Sequence, residues 1–268
     1  MLSLLYPLTL ALYAGACALY LSHLVGGTET IDRMARIALV GAFLAHTIDI
    51  GVLCVHGIHP LVNTREALSF VAWFMVGAYL TLTFRYRIPT LGALIVPVTI
   101  VLEVAARAAP ASGEAGHVAS LLTEMHIGLA TAGVAIFAVA AGDAAVFLVS
   151  EWQLKQHRLG QVVRKGPALE TLDRINRFCI LLGFPLFTLA MVMGTLLAMR
   201  LPEGGIHRLL HPEYLLSALT WSLYAGLLVA RLIAGWRGRR AALVTLAGFT
   251  AAVGVLAIYY SNAFHPAA

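Results

Sequence analysis

Eight long runs of the chain are nearly free of charge, and this constrains its folding more than anything else in it. They are Leu4–Leu24, Met34–Val55, Ala67–Phe84, Thr90–Ala106, Ala119–Val149, Phe178–Met199, Tyr214–Ala234 and Ala241–Ser261. A helix of roughly 20 apolar residues crosses a hydrocarbon layer of about 30 Å, so each run reads as a candidate span. The expected fold class is all-α, a polytopic integral membrane bundle of about eight transmembrane helices. Composition agrees, with 60% hydrophobic residues, 12% charged and a mean hydropathy of +0.86 over 268 residues, a balance that soluble domains do not show. The Thr90–Ala106 run is short and carries Pro97 and Glu103. It is kept because membrane helices tolerate proline where neighbours satisfy the freed carbonyl, and because the charge pattern needs an even number of spans.

With eight spans, fourteen of the eighteen basic residues fall on one side: Arg33, Arg36, Arg85, Arg87, Lys155, Arg158, Arg164, Lys165, Arg174, Arg177, Arg231, Arg237, Arg239 and Arg240. Only Arg65, Arg107, Arg200 and Arg208 fall on the other. Cytoplasmic loops carry the excess of Lys and Arg, so both termini are expected on the non-cytoplasmic side of a multi-pass protein of the cell inner (plasma) membrane. The net charge of +5 then signals topology and lipid contact rather than a nucleic-acid partner. The first run lacks the basic start of a signal peptide and is expected to be retained.

Residues 1–268 read as a single membrane domain. Its one sizeable soluble stretch, 151–177, is a basic cytoplasmic loop in which Pro167 precedes Leu169, Leu172 and Ile175, the spacing of a short amphipathic surface helix. Cys17, Cys54 and Cys179 are scattered, with no CxxC or CxxCH spacing, and read as small packing residues. No nucleophile, acid–base pair in a loop or nucleotide-binding glycine motif is present, which favours a binding protein over an enzyme. Gly128, Gly133 and Gly142 suit close helix packing.

Ten histidines stand out in a chain so poor in charge. His56, His59, His117, His207 and His211 fall in outer loops, and His23 and His157 near the inner side. His46 lies within the second span with Asp49 three residues on, nearly on the same helical face. Such a pair is expensive in lipid and faces the bundle interior, where it either links helices, relays protons or ligates haem. Glu103, Glu124 and Asp143 are weaker cases of the same kind. His126 lies 29 residues before Lys155, and His265 lies 25 residues after Arg240. At 1.5 Å per residue each is about 38–44 Å from its inner basic anchor, so both are expected at the outer rim. Neutral imidazole is a good axial ligand for haem iron, and two helices presenting one ring each could clamp the cofactor; spacing and composition by themselves favour two ordinary interfacial histidines.

A family resemblance bears on that choice. The stretch from His59 to Trp73, with Pro60, Asn63, Glu66 and Trp73, resembles the start of a span in CcsA-type cytochrome c assembly proteins. Leu169 to Thr188, with Asp173 and Gly183, followed by Gly194, is similar to the family's basic-loop-to-span segment. Trp221, Tyr224, Arg231, Gly235, Trp236, Gly238, Ala241, Gly248 and Phe249 resemble its last two spans. In that register His126 and His265 match the family's two external haem-ligand histidines. The resemblance thus implies haem as cofactor, its iron held by His126 and His265, with His46 an internal candidate and Trp73, Tyr259 and Tyr260 as aromatic walls.

The chain departs from the family in one segment. Where haem-ligating members carry Trp-Gly-x-x-Trp-x-Trp-Asp between spans six and seven, this chain has Gly204 to Glu213 without a tryptophan, and the family histidine within span seven is absent. That places it nearest the HemX/YpjD-like branch. Losing the tryptophans removes stacking area for a flat porphyrin. The implied role is haem binding or handling in support of cytochrome c assembly or haem homeostasis, with another assembly or tetrapyrrole-pathway protein as partner. Two competitors remain: a membrane regulator of an early tetrapyrrole-synthesis enzyme acting through Lys155–Arg177, and a proton-coupled transporter-like bundle using His46 and Asp49.

Overall fold

The computed structural model describes residues 2–26, 28–55, 64–109, 121–157, 166–200 and 210–264. Among them the chain forms eight helices and no strand: α1 (Leu2–Val25), α2 (Glu29–Val55), α3 (Thr64–Thr83), α4 (Pro89–Ala108), α5 (Leu121–Lys155), α6 (Leu169–Arg200), α7 (Pro212–Ile233) and α8 (Arg239–Phe264). All eight are long and apolar enough to cross a membrane. The short fourth run is among them: α4 opens on Pro89, at a position where the missing N–H has no helical partner to lose.

The bundle is organised around α5, which is 35 residues long and has 83% of its most apolar window buried. Its sequence is apolar on every side, the pattern of a helix enclosed by others rather than one facing solvent. It packs against α3, α4, α6 and α8. Phe137 of α5 stacks on Tyr224 of α7, with ring centroids 3.8 Å apart. A Cβ at Gly183 of α6 would come within 2.9 Å of the same phenylalanine ring, so the bare glycine sets the α5–α6 approach. The first four helices form a second group, with α1 against α2 and α4, and α3 against α4. Ile37, Leu44, Ile48, Val101, Leu181 and Val192 are exposed around the outside, as lipid-facing residues must be.

One end of the bundle carries the arginine-rich turns. Between α7 and α8 the chain reverses through Gly235 and Gly238, at φ +63° and +62°, a left-handed conformation that glycine alone adopts without steric cost. Asp173 of α6 locks this turn, accepting the Gly238 N–H at 2.9 Å and pairing with Arg231 at 3.2 Å. Arg231 also donates to Asn176 Oδ1 at 2.8 Å, and Asn176 donates to the Ala140 carbonyl of α5 at 3.0 Å. Asp143 of α5 lines the same crevice, fully buried, and neither carboxylate oxygen has a hydrogen-bond partner.

Here the structure differs from the surface helix expected in 151–177. Leu169, Leu172 and Ile175 belong to the first turns of α6, continuous with the span to Arg200, and Leu172 and Ile175 are fully buried. Their helical spacing reflects packing within the bundle rather than contact with a membrane surface. Residues 158–165 lie outside the described segments.

Candidate functional site

His126 sits in the second turn of α5, at the end of the bundle opposite the arginine-rich turns. Its ring is half-buried against α6, with Nδ1 2.7 Å from the Ala190 carbonyl. A carbonyl only accepts, so Nδ1 carries the proton and donates. In the neutral ring Nε2 then holds the lone pair, and no described residue bonds to it. Room for the ring depends on Gly194, one turn beyond Ala190, where a Cβ would lie 2.6 Å from His126 Cε1. An imidazole with its other N–H fixed by a backbone carbonyl is the arrangement that orients a metal-ligating histidine. The donor chemistry therefore fits one axial ligand of haem.

His265, the second expected ligand, lies outside the described residues, as do His56, His59, His117 and His207. Helix α8 runs to Phe264. No cluster of three or more His, Cys, Asp or Glu side chains suited to a bare metal ion exists among the described residues. Haem needs fewer protein ligands, because the porphyrin supplies the rest.

His46 occupies a different place. It is fully buried in α2, with Nδ1 3.0 Å from the Tyr13 hydroxyl of α1. Nε2 lies 2.9 Å from Ser69 Oγ of α3 and 3.2 Å from Glu103 Oε1 of α4, and Ser69 donates to the same Glu103 oxygen at 3.0 Å. Both ring nitrogens are engaged, so an iron could reach His46 only by displacing a partner. The close carboxylate is that of Glu103, whereas Asp49, the helical neighbour expected from spacing, lines a cavity alongside. That cavity, of about 270 Å³, opens between α1, α2, α3 and α4 and is walled by Tyr6, Asp49, Arg65, Glu66, Ser69, Glu103 and Arg107. Tyr13 and Ser69 carry no charge and stand in ordinary apolar runs, so sequence reading passed over both.

Trp73 belongs to an aromatic cluster between α2 and α3. Its ring lies parallel to Phe43 and Phe70, at centroid distances of 5.2 and 5.5 Å, and its indole N–H donates to Thr47 at 2.8 Å. His126 is seated on α6 instead, and the two side chains do not meet. Tyr259 is exposed and Tyr260 half-buried on α8.

Eight apolar helices among the described residues, one of them buried at the centre, with basic turns at one end and a backbone-anchored histidine at the other, define a multi-pass helical membrane protein. The chain belongs to the cytochrome c assembly protein family, whose family model matches residues 61–265. Protein HemX of Brevibacillus brevis is 26% identical over 225 residues, 82% of this chain and 82% of that protein. Cytochrome c biogenesis protein CcsA of Chlamydomonas reinhardtii is 26% identical over 202 residues, 72% of this chain but 56% of the relative. CcsA of Gloeobacter violaceus is 36% identical over a shorter stretch of 90 residues, 34% of this chain and 26% of the relative. No solved structure matches.

Proposed function

We propose that the chain binds or handles haem at the non-cytoplasmic surface of the cell inner membrane, in support of cytochrome c assembly or haem homeostasis, with His126 and His265 as the axial ligands. The supporting observation is the seat of His126: the Ala190 carbonyl takes its Nδ1 proton at 2.7 Å and leaves Nε2 as a lone-pair donor at the end of the bundle away from the basic turns. On this reading both termini face outward, residues 1–268 form one membrane domain, and 151–177 is the basic segment on the cytoplasmic side. Haem bound there would supply the iron and the flat apolar ring; the chain supplies ligand nitrogens and their orientation. His46 serves the hydrogen-bonded network of the first four helices, and Trp73 holds α2 to α3. A larger assembly or tetrapyrrole-pathway partner receives or delivers the cofactor.

The test is a haem titration of the purified full chain and of a His126→Ala, His265→Ala double variant. The reading expects a saturable Soret band in the native protein and its loss in the variant; an equal band in both removes the pair from the site. The likeness to HemX over 82% of the chain favours one second reading, a regulator of an early tetrapyrrole enzyme acting through 151–177. Replacing 158–165 by a neutral linker separates the two, since a regulator loses its partner while haem binding survives.

A further inference from the structure

The cavity among the first four helices gathers opposite charges at the end of the bundle away from the arginine-rich turns. Its walls come from the starts of α1 and α3 and the ends of α2 and α4, around a space of about 270 Å³. Asp49, Arg65, Glu66, Glu103 and Arg107 all face it. In the order of the spans only four of the eighteen basic residues, Arg65, Arg107, Arg200 and Arg208, lie toward this end. Two of the four meet in one cavity.

Charged side chains among membrane spans are expensive and settle by pairing, yet here the pairing is incomplete. Arg65 Nε lies 3.6 Å from Glu66 Oε1. Glu103 is held by Ser69 and His46, so it is spoken for whatever its protonation state. Asp49 and Arg107 differ: among the described residues neither side chain forms an ion pair or a hydrogen bond. They are near enough for their charges to act on one another but do not close to the separation of about 4 Å that makes an ion pair. Arg107 lies instead over the Tyr6 ring, 5.6 Å from its centroid. A carboxyl group and a guanidinium that share a space and stay apart suit a ligand with a cation at one end and an anion at the other.

The walls define both ends of that ligand. Two guanidiniums, each a fork of N–H donors, match a phosphate. Asp49 accepts hydrogen bonds, which a primary ammonium gives and a quaternary ammonium cannot. Quaternary ammonium groups bind against open aromatic faces, and Tyr6, the one aromatic side chain among the described residues of this cavity, is already covered by Arg107. A space of about 270 Å³ holds about nine waters at about 30 Å³ each, close to the number of non-hydrogen atoms in ethanolamine phosphate. Leu8, Val55 and Val104 are exposed within a turn of Tyr6, Leu53 and Arg107, apolar surface along which acyl chains can lie.

We propose that this cavity binds the ethanolamine phosphate group, presented by phosphatidylethanolamine of the surrounding leaflet or as the free zwitterion, with Arg65 and Arg107 on the phosphate and Asp49 on the ammonium. The site is separate from the His126 seat and is tested on haem-free protein. The full chain, purified in detergent and stripped of lipid, is read by native mass spectrometry. One arm offers equal amounts of phosphatidylethanolamine, phosphatidylcholine and phosphatidylglycerol with matched chains; the other offers free ethanolamine phosphate. A preference of about 10-fold or more for the ethanolamine lipid, the worth of a charge-assisted hydrogen bond, assigns the lipid as source. Binding of the free zwitterion without a lipid preference assigns the soluble one. Either signal is expected to fall about 10-fold in Asp49→Asn and in Arg107→Gln. Equal binding of the three lipids with no uptake of the free zwitterion, or a signal unchanged in either variant, overturns the proposal. Arg107 is exposed, so Arg107→Gln decides should Asp49→Asn fail to fold.

Discussion

Replacing Gly194 by alanine perturbs the His126 seat without touching the ring itself. The added Cβ would lie 2.6 Å from Cε1, 3.1 Å from Nδ1 and 3.4 Å from Nε2. Carbon atoms rest at about 3.5–4.0 Å, so the ring must retreat by about 1 Å or α6 must move. The Nδ1 bond to Ala190 is 2.7 Å long, and a retreat of that size stretches it past the limit of about 3.2 Å for an N–H···O bond. Overpacking of this kind costs about 1–3 kcal/mol of stability. Losing the orienting bond on a metal-ligating histidine typically costs about 10–100-fold in affinity. Haem titration of Gly194→Ala in detergent is therefore expected to give a dissociation constant weaker by that factor, with a modest fall in thermal midpoint. Unchanged affinity in a protein of unchanged stability would refute the argument that Gly194 and Ala190 set the ring.

Arg231→Met leaves Asp173 and Asn176 at the α7–α8 turn without their cation, and breaking a buried pair costs about 3–5 kcal/mol; thermal unfolding in detergent should show it, while an unchanged midpoint would mean the pair contributes nothing. Trp221→Phe loses the bond to Thr188, 3.0 Å long, and should cost about 0.5–1.5 kcal/mol by the same assay, with haem affinity unchanged. A reporter fused after Ala268 and active only outside the cytoplasm should be active, as the charge asymmetry requires; an inactive reporter, with the same fusion active at the basic turns, would invert the topology.

Sequence and structure agree best where the cause is long-range solvent chemistry. Apolar runs placed all eight spans, including α4, whose Pro97 and Glu103 weaken its hydropathy, Glu103 being buried inside the bundle and Pro97 half-buried within the helix. Agreement fails where partners come from distant segments. Spacing paired His46 with Asp49 on one helix face, but the nearer carboxylate comes from Glu103, 57 positions later, because α2 and α4 meet around Ser69 and Tyr13. Leu169, Leu172 and Ile175 show the same limit from another side: helical periodicity marked their buried face correctly, but periodicity is identical for a membrane-surface helix and for the first turns of a span. The seat of His126 was half legible. Depth placed it at a helix end, while the Ala190 carbonyl and the gap left by Gly194 required knowing which face of α6 packs on α5.

The absorption spectrum of the full chain as isolated from membranes tests the haem reading most directly. The account predicts a Soret band with the split visible bands of six-coordinate, bis-histidine iron, in the isolated protein or after one equivalent of haem is added. A colourless protein that takes up no haem would contradict it.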